Sequence, residues 1–317
     1  MLTCDQITFF EENGYLVVEN VFDRATVLDP LHAEYAGLID ELYAAWFADG
    51  RVAVSPEGLG FWDKLGIAYR AGCDWFQPMD CSLPGDEIDA DTPFHIGLAV
   101  FDLIRAPRLL DMVECLIGPE ITSNPIQHIR IKPPALDLRD GETRAHITQT
   151  DWHQDRAVAL AEADGTDMVT VWCAITDATV ENGCLQVIPG GHKGAMLPHC
   201  PKTQTGIADG FIDRRMARPL PVGAGGIVMV HPLTPHGSLA NRTDGFRWSF
   251  DIRYNRTGQA TGRAHFPEFI ARSGMTPESE LHDWRAWRAM WEDARTRLAK
   301  RAHIPIHRWA SDAPYCA

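Results

Sequence analysis

No C-x-x-C pair occurs in this chain, no apolar run reaches the length of a bilayer span, and basic residues are outnumbered, 29 against 43 acidic ones. Each deficit closes off a class of function. The eight cysteines, at positions 4, 73, 81, 115, 173, 184, 200 and 316, are scattered. A chain of 317 residues needs no disulfide staples, so all eight read as reduced thiols. A membrane helix needs about 18 consecutive apolar residues, and none is present. The opening "MLTCDQITFFEENGYLVVENVF" puts acidic residues where a secretory signal needs a basic start and an unbroken apolar run. The expected address is therefore the cytoplasm. A formal charge of -14 repels nucleic-acid backbones and anionic membranes alike, which leaves a small molecule as the expected partner. There is no internal repeat and no low-complexity tract.

What is present is a globular chain, 45% hydrophobic, with two textures. The first third is mixed. A short helix over 5–13 closed by Gly14 precedes the strand-like "YLVVENVF", and a longer helix fits 24–48 with Leu28, Leu31, Tyr35, Leu38, Leu42 and Ala45 on one stripe. Residues 51–94 are rich in Gly, Pro and Asp and read as loops, and 95–117 read as mostly helical. From 121 to 255 the pattern turns to short alternating runs separated by turn residues, which predicts a sandwich or barrel. A polar linker follows, then a helix expected to start at Thr276-Pro277. Its Leu281, Trp284, Trp287, Trp291 and Leu298 read as core packing, with a homo-oligomer interface as the alternative.

The stretch "TDWHQDRAV" carries a candidate metal pair. In a strand, His153 and Asp155 point to one face and Gln154 to the other. A bare H-x-D is more often a polar turn or strand edge, so it needs a third ligand. Two imidazoles and a carboxylate on one face of an octahedron are what a mononuclear oxygenase iron requires. Chemistry alone does not choose among His192, His199, His231 and His236. If 240–245 in "HPLTPHGSLANRTDGFRWSFDIRY" is a hairpin connection, Ser238 pairs with Arg247 and His236 with Ser249, placing all four on one face. The opposite face shows Phe246, Trp248, Phe250, Ile252 and Tyr254 and reads as sandwich core. Arg247, Asp251 and Arg253 then form a polar inner wall, and an inward arginine is costly to desolvate unless an anion meets it. The competing account is an internal Arg247 to Asp251 salt bridge.

With these residues in hand, the sequence resembles the phytanoyl-CoA dioxygenase family of Fe(II)/2-oxoglutarate oxygenases. The likeness rests on "WHQD" at 152–155, "NGCLQVIPGGHKG" at 182–194, "HPLTPHGSLANRTDGFR" at 231–247 and the opening "FFEENGYLVVENVF", all in order. The resemblance implies that His153, Asp155 and His236 bind Fe(II), and that Arg247 and Ser238 hold the 2-oxoglutarate carboxylate. By the same resemblance Trp172 packs beside that cosubstrate, and His128 falls at a further cosubstrate contact, although a core strand histidine accounts for it equally well. His192 and Lys193 match a turn that would close over the site, His231 reads as a supporting group, and Lys132 either lines the pocket or reaches solvent.

The implied fold is mainly β with flanking helices, a double-stranded β-helix or jelly roll. It forms one oxygenase domain over 1–317, with 1–120 as a mixed helical part, 121–255 as the core and 256–317 as linker and helix. The implied reaction consumes O2 and 2-oxoglutarate, releases succinate and CO2, and hydroxylates an unactivated C–H bond of a small organic molecule. Halogenation is disfavoured by the presence of Asp155, whereas desaturation, ring closure and epimerisation stay open. A zinc-dependent hydrolase would use the same triad but leaves Arg247 opposite Ser238 without a reason. A non-catalytic ligand-binding jelly roll would bind 2-oxoglutarate without releasing succinate. Substrate identity is unread, and 51–120 and the tail after 256 carry no usable motif.

Overall fold

A computed structural model describes residues 1–85, 87–135, 147–301, 306 and 308–316. Helix α1 (Cys4–Asn13) starts at a capping box in which Thr3 and Gln6 satisfy each other's backbone N–H groups. It ends at Gly14, whose φ of 77° only glycine adopts without strain. Strand β1 (Tyr15–Val18) follows, then a π-turn at Arg24–Leu28 that runs into α2 (Asp29–Ala48). The buried stripe of α2 begins as expected at Leu31 and Tyr35 but continues through Ile39, Tyr43 and Trp46; Leu38 and Leu42 are only partly buried and Ala45 is exposed.

The reading of 51–94 as loops needs correction, because α3 (Phe61–Arg70) and the single turn α4 (Phe76–Met79) lie within it. Gly66 and the buried Lys64 interrupt the apolar period of α3, yet Leu65, Ala68 and Tyr69 bury one face and the Asp63 carboxylate caps the Gly60 N–H. Pro107 splits the next helical stretch into α5 (Leu98–Ile104) and α6 (Pro107–Ile117).

The strands form three sheets. β2 (Glu120–Lys132), β3 (Met168–Ala174), β8 (Ile227–Val230), β10 (Arg247–Arg256) and β11 (Phe269–Ser273) join β1 in a six-stranded antiparallel sheet ordered β1-β8-β3-β10-β2-β11. β4 (Leu185–Val187), β7 (Arg218–Leu220) and β9 (His236–Ser238) make a smaller one ordered β7-β4-β9, and β5 (His199–Pro201) pairs with β6 (Thr205–Ile207). Strict alternation sorts the large sheet's faces. Ile129, Ile131, Val171, Cys173, Met229, Trp248, Phe250, Ile252 and Tyr254 pack outward in the core that the helices cover, while Trp172, Val228 and Val230 pack inward against Leu185, Val187 and Leu220 of the small sheet. This is the expected jelly roll with flanking helices.

Three local expectations are overturned. Residues 236–249 do not form a hairpin: β9 pairs with β4, Leu185 opposite Ser238, while β10 pairs with β2 and β3, Arg247 opposite Lys132. The connection crosses between sheets because Asn241 pins it, donating to the carbonyls of Lys132, Pro133 and Gly245 at 3.3, 3.1 and 2.7 Å. Thr276-Pro277 opens only a 3-10 turn, and α8 (Trp284–Leu298) begins later at the Asp283 cap. Its Trp287 and Trp291 are fully buried and meet Phe101, Phe266 and Phe269, so the stripe is core packing. Finally, Cys200 and Cys316 are joined as a disulfide across 116 positions, with Cα atoms 5.5 Å apart, so not all eight cysteines are free thiols. The tail returns to β5 through tertiary contacts that no cysteine spacing announces. Among the described residues no helix is long and apolar enough to cross a membrane.

Candidate metal and cosubstrate site

Between the two sheets the fold brings His153, Asp155 and His236 together with one potential ligand atom from each, all within 4.8 Å of one another. His153 and His236 form an isolated bridge whose reciprocal N–H to carbonyl bonds measure 2.8 and 2.9 Å, so each imidazole is positioned by the other's backbone. Gly237 permits that approach, since a Cβ there would lie 3.0 Å from the Thr150 carbonyl oxygen. Asp155 is not on a strand, as the period-2 argument had it; it opens the one-turn helix α7 (Asp155–Val158). Gln154 does point away. It is clamped by donation to the Leu233 carbonyl and acceptance from the Leu197 N–H, both 2.7 Å, while its own N–H donates to His199 Nε2 at 3.0 Å.

The donor set fits a divalent ion. Nδ1 of His153 lies 2.8 Å from the Asp151 carbonyl and Nδ1 of His236 lies 3.0 Å from the Thr234 carbonyl. A carbonyl only accepts, so each Nδ1 carries the proton and each Nε2 presents a lone pair. Those Nε2 atoms sit 3.7 and 3.6 Å from the Asp155 carboxylate oxygens. Asp155 is wholly buried; Oδ1 accepts from Arg253, and Oδ2 has no hydrogen-bond partner. A buried carboxylate with one donor-free oxygen, set beside two imidazole Nε2 atoms, is what a cation would satisfy. Burial pushes the Asp155 carboxyl up, but Arg253, His236 and His153 outweigh it and hold it well below the usual range. Burial and the neighbouring His153 push His236 down to about 4, which keeps it a neutral ligand.

Beyond the triad the inner wall turns cationic. Arg247, 1% exposed, donates to Ser249 Oγ at 2.5 Å and to the Gly183 carbonyl at 3.3 Å; its Nε has no partner, and its guanidinium carbon lies 5.1 Å from the Trp172 ring centroid. Its register partner Lys132 is also buried and donates to Ser238 Oγ at 2.7 Å and to the Leu239 carbonyl. Ser238 Oγ accepts as well from the Thr150 N–H at 2.9 Å. Neither cation forms an ion pair with a carboxylate among the described residues. Asp251 instead meets Arg130 at 2.6 Å, so the internal Arg247 to Asp251 bridge is not formed. Burial brings Arg247 down to about 10, and burial together with Arg247 drives Lys132 well below its ordinary value.

His128 stands apart, in a neighbouring chamber of about 430 Å3 that also touches Arg130, His153 and Arg253. Its Nδ1 is 2.8 Å from Asp80 Oδ2. Lys132 lines the inner space, settling its two earlier readings. His192 bonds the Glu11 carbonyl, its ring 5.0 Å from that of His231, so the 190–194 turn packs against α1. His199 stacks on Trp309 and supports Gln154. Sequence reasoning saw Arg253 only as part of a polar wall and missed its grip on Asp155, because the two approach from separate elements.

Residues 10–249 match the sequence pattern described as phytanoyl-CoA dioxygenase (PhyH). The peroxisomal phytanoyl-CoA dioxygenase of Homo sapiens is 29% identical over 288 residues, covering 89% of this chain and 75% of that protein. A phytanoyl-CoA dioxygenase domain-containing protein 1 homolog of Caenorhabditis elegans is 34% identical over 266 residues, covering 77% and 87%. Among solved structures, the non-heme monooxygenase ThoJ superposes with a TM-score of 0.60 at 21% identity, covering 93% of this chain and 96% of that one. EvdO2 from Micromonospora carbonacea var. aurantiaca, complexed with 2-oxoglutarate, gives 0.54 at 21%, covering 82% and 94%.

Proposed function

This chain belongs to the phytanoyl-CoA dioxygenase family, and from that premise we propose that it hydroxylates a C–H bond of a small organic molecule, with Fe(II) held by His153, Asp155 and His236. It is a 2-oxoglutarate-dependent dioxygenase. When bound, iron would activate dioxygen, the oxidant, and 2-oxoglutarate would supply two of the four electrons that dioxygen takes up, leaving as succinate and CO2. The chain's own residues do the rest. His153 and His236 turn Nε2 toward the metal position because their Nδ1–H groups donate to the Asp151 and Thr234 carbonyls. Arg253 orients the Asp155 carboxylate so that Oδ2 stays available. Arg247 and Ser238 clasp the far carboxylate of 2-oxoglutarate, against the Trp172 face. His128, beside the outer chamber, would reach the cosubstrate only from the substrate side.

The observation that carries this reading is the buried Asp155 carboxylate, its Oδ1 3.7 Å from His153 Nε2 and its partnerless Oδ2 3.6 Å from His236 Nε2, with Arg247 buried in the same inner space and in no ion pair among the described residues. A zinc hydrolase would leave that guanidinium without purpose. The same reading takes 1–317 as one domain, supported by a core shared from Leu2 to Leu298. The test is anaerobic loading with Fe(II) and 2-oxoglutarate, then oxygen and a metabolite library with succinate as readout. His153→Ala is expected to abolish succinate release. Undiminished release in that variant, or release supported by zinc alone, refutes the proposal.

A further inference from the structure

We propose that the outer chamber takes a substrate bearing one carboxylate, received by Arg263; this rests on the iron and 2-oxoglutarate reading of the adjoining site. The argument is a charge count around the chamber wall. Arg130 faces Asp251 and Arg253 faces Asp155, so these two cations are answered, while Asp80 is held by the Cys81 and Ile129 N–H groups and lies 2.8 Å from His128 Nδ1. Arg263 is different. Only 4% of it is exposed, it lines the chamber, and it forms no ion pair with any carboxylate among the described residues. Its Nη1 donates to the Gly262 carbonyl at 2.9 Å and its Nη2 to the Val158 carbonyl at 2.8 Å. Two carbonyls occupy two of a guanidinium's five N–H donors and neutralise none of its charge. Glu162 stabilises the charge from a distance but makes no ion pair with it; a buried cation without a contact counter-ion is costly, and a carboxylate is the ligand that a planar guanidinium fork fits.

Position ties this cation to the reaction. Val158, whose carbonyl Arg263 holds, closes the turn of α7 that Asp155 opens. A carboxylate gripped there places the substrate's body in the chamber that His153 also lines. The chamber offers that body apolar contacts from Phe76, Leu83, Ile126 and Phe266 and polar ones from Gln77, Ser82, Thr203 and Gln204. One cation without a contact counter-ion among the described residues matches one negative charge. A phosphate monoester carries about -1.5 to -2 near neutrality and would leave the chamber with excess buried charge, and a polyphosphorylated thioester would fare worse. The occupant is therefore a monocarboxylic acid.

The experiment uses the holoenzyme loaded anaerobically with Fe(II) and 2-oxoglutarate, and a panel of medium-chain and aryl monocarboxylates, each paired with its own methyl ester. Calorimetry gives the affinity of each compound, and oxygen is then admitted to measure the succinate released. In the wild type the acids are expected to bind about tenfold or more tightly than their esters and to stimulate succinate release. In Arg263→Gln, where amide donors can still serve both carbonyls, the acid-to-ester ratio is expected to collapse toward unity. Arg263→Lys should retain part of it. The ratio is taken within each protein, so partial misfolding does not move it. Equal binding of acids and esters in the wild type, binding of neither, or an undiminished ratio in Arg263→Gln overturns the proposal. Failure of the holoenzyme to retain 2-oxoglutarate before any panel compound is added would instead strike the underlying reading.

Discussion

Arg247→Met separates a binding role from a structural one by the sign of its effect. The arginine is 1% exposed, with no carboxylate partner among the described residues, an orphaned Nε, and a hydroxyl and a carbonyl accepting from its other donors. Methionine keeps an aliphatic stem and removes the guanidinium that lies over Trp172, and with it a buried charge that no carboxylate among the described residues meets. Without cosubstrate, folding stability should therefore stay level or rise, as replacement of poorly compensated buried charge by apolar side chains often does. With cosubstrate the balance reverses. Truncating one partner of a buried, hydrogen-bonded charge pair costs about 2–5 kcal/mol, which is roughly 30-fold to several-thousand-fold in the Kd for 2-oxoglutarate. Urea unfolding without 2-oxoglutarate measures the first quantity, and calorimetric titration of the metal-loaded protein the second. A variant that loses several kcal/mol of stability yet binds 2-oxoglutarate as the wild type does would show that Arg247 holds the sheets together and nothing more.

Three further outcomes are expected. Arg253→Gln leaves the Asp155 carboxylate buried and unpaired, so unfolding in chelator at pH 7 should show a loss of about 3–5 kcal/mol, and the loss should shrink when metal is restored; an equal loss in both conditions counts against Asp155 as a ligand. Burial raises the Asp251 carboxyl, but Arg130 and Arg253 outweigh it and hold it below the ordinary value. Its contribution to stability is thus fully present above about pH 4 and disappears as pH falls through the lowered folded value; Arg130→Gln should flatten the fall in urea midpoint between pH 5 and pH 3, and an unchanged slope would assign that fall elsewhere. Reducing Cys200–Cys316 frees a loop closed across 116 positions. The chain-entropy account puts the loss at up to about 4–5 kcal/mol; a lower unfolding midpoint and faster tryptic cleavage at Arg308 are expected, and neither should appear if the bond contributes nothing.

Local periodicity was legible in the residues themselves. Alternation in "FRWSFDIRYN" assigned Trp248, Phe250, Ile252 and Tyr254 to the core and Arg247, Asp251 and Arg253 to a polar inner wall, because side chains in a strand alternate whatever the strand pairs with. The H-x-D pair was legible for a chemical reason, since few side chains ligate iron; His236 was set apart from the other histidines only by the family resemblance. Pairing was not legible. Ser238 and Arg247 were joined in a hairpin, while the chain sends them to different sheets, and they share an inner space because the jelly roll folds those sheets face to face. The tertiary structure alone decided that Arg253 grips Asp155, that Lys132 stands beside Arg247, that Arg263 holds the Val158 carbonyl and that Cys316 returns to Cys200. Each of those is a contact between segments far apart in the chain, set by packing of the whole, whereas the sequence by itself determines which face of each segment is greasy and which residues are able to hold a metal.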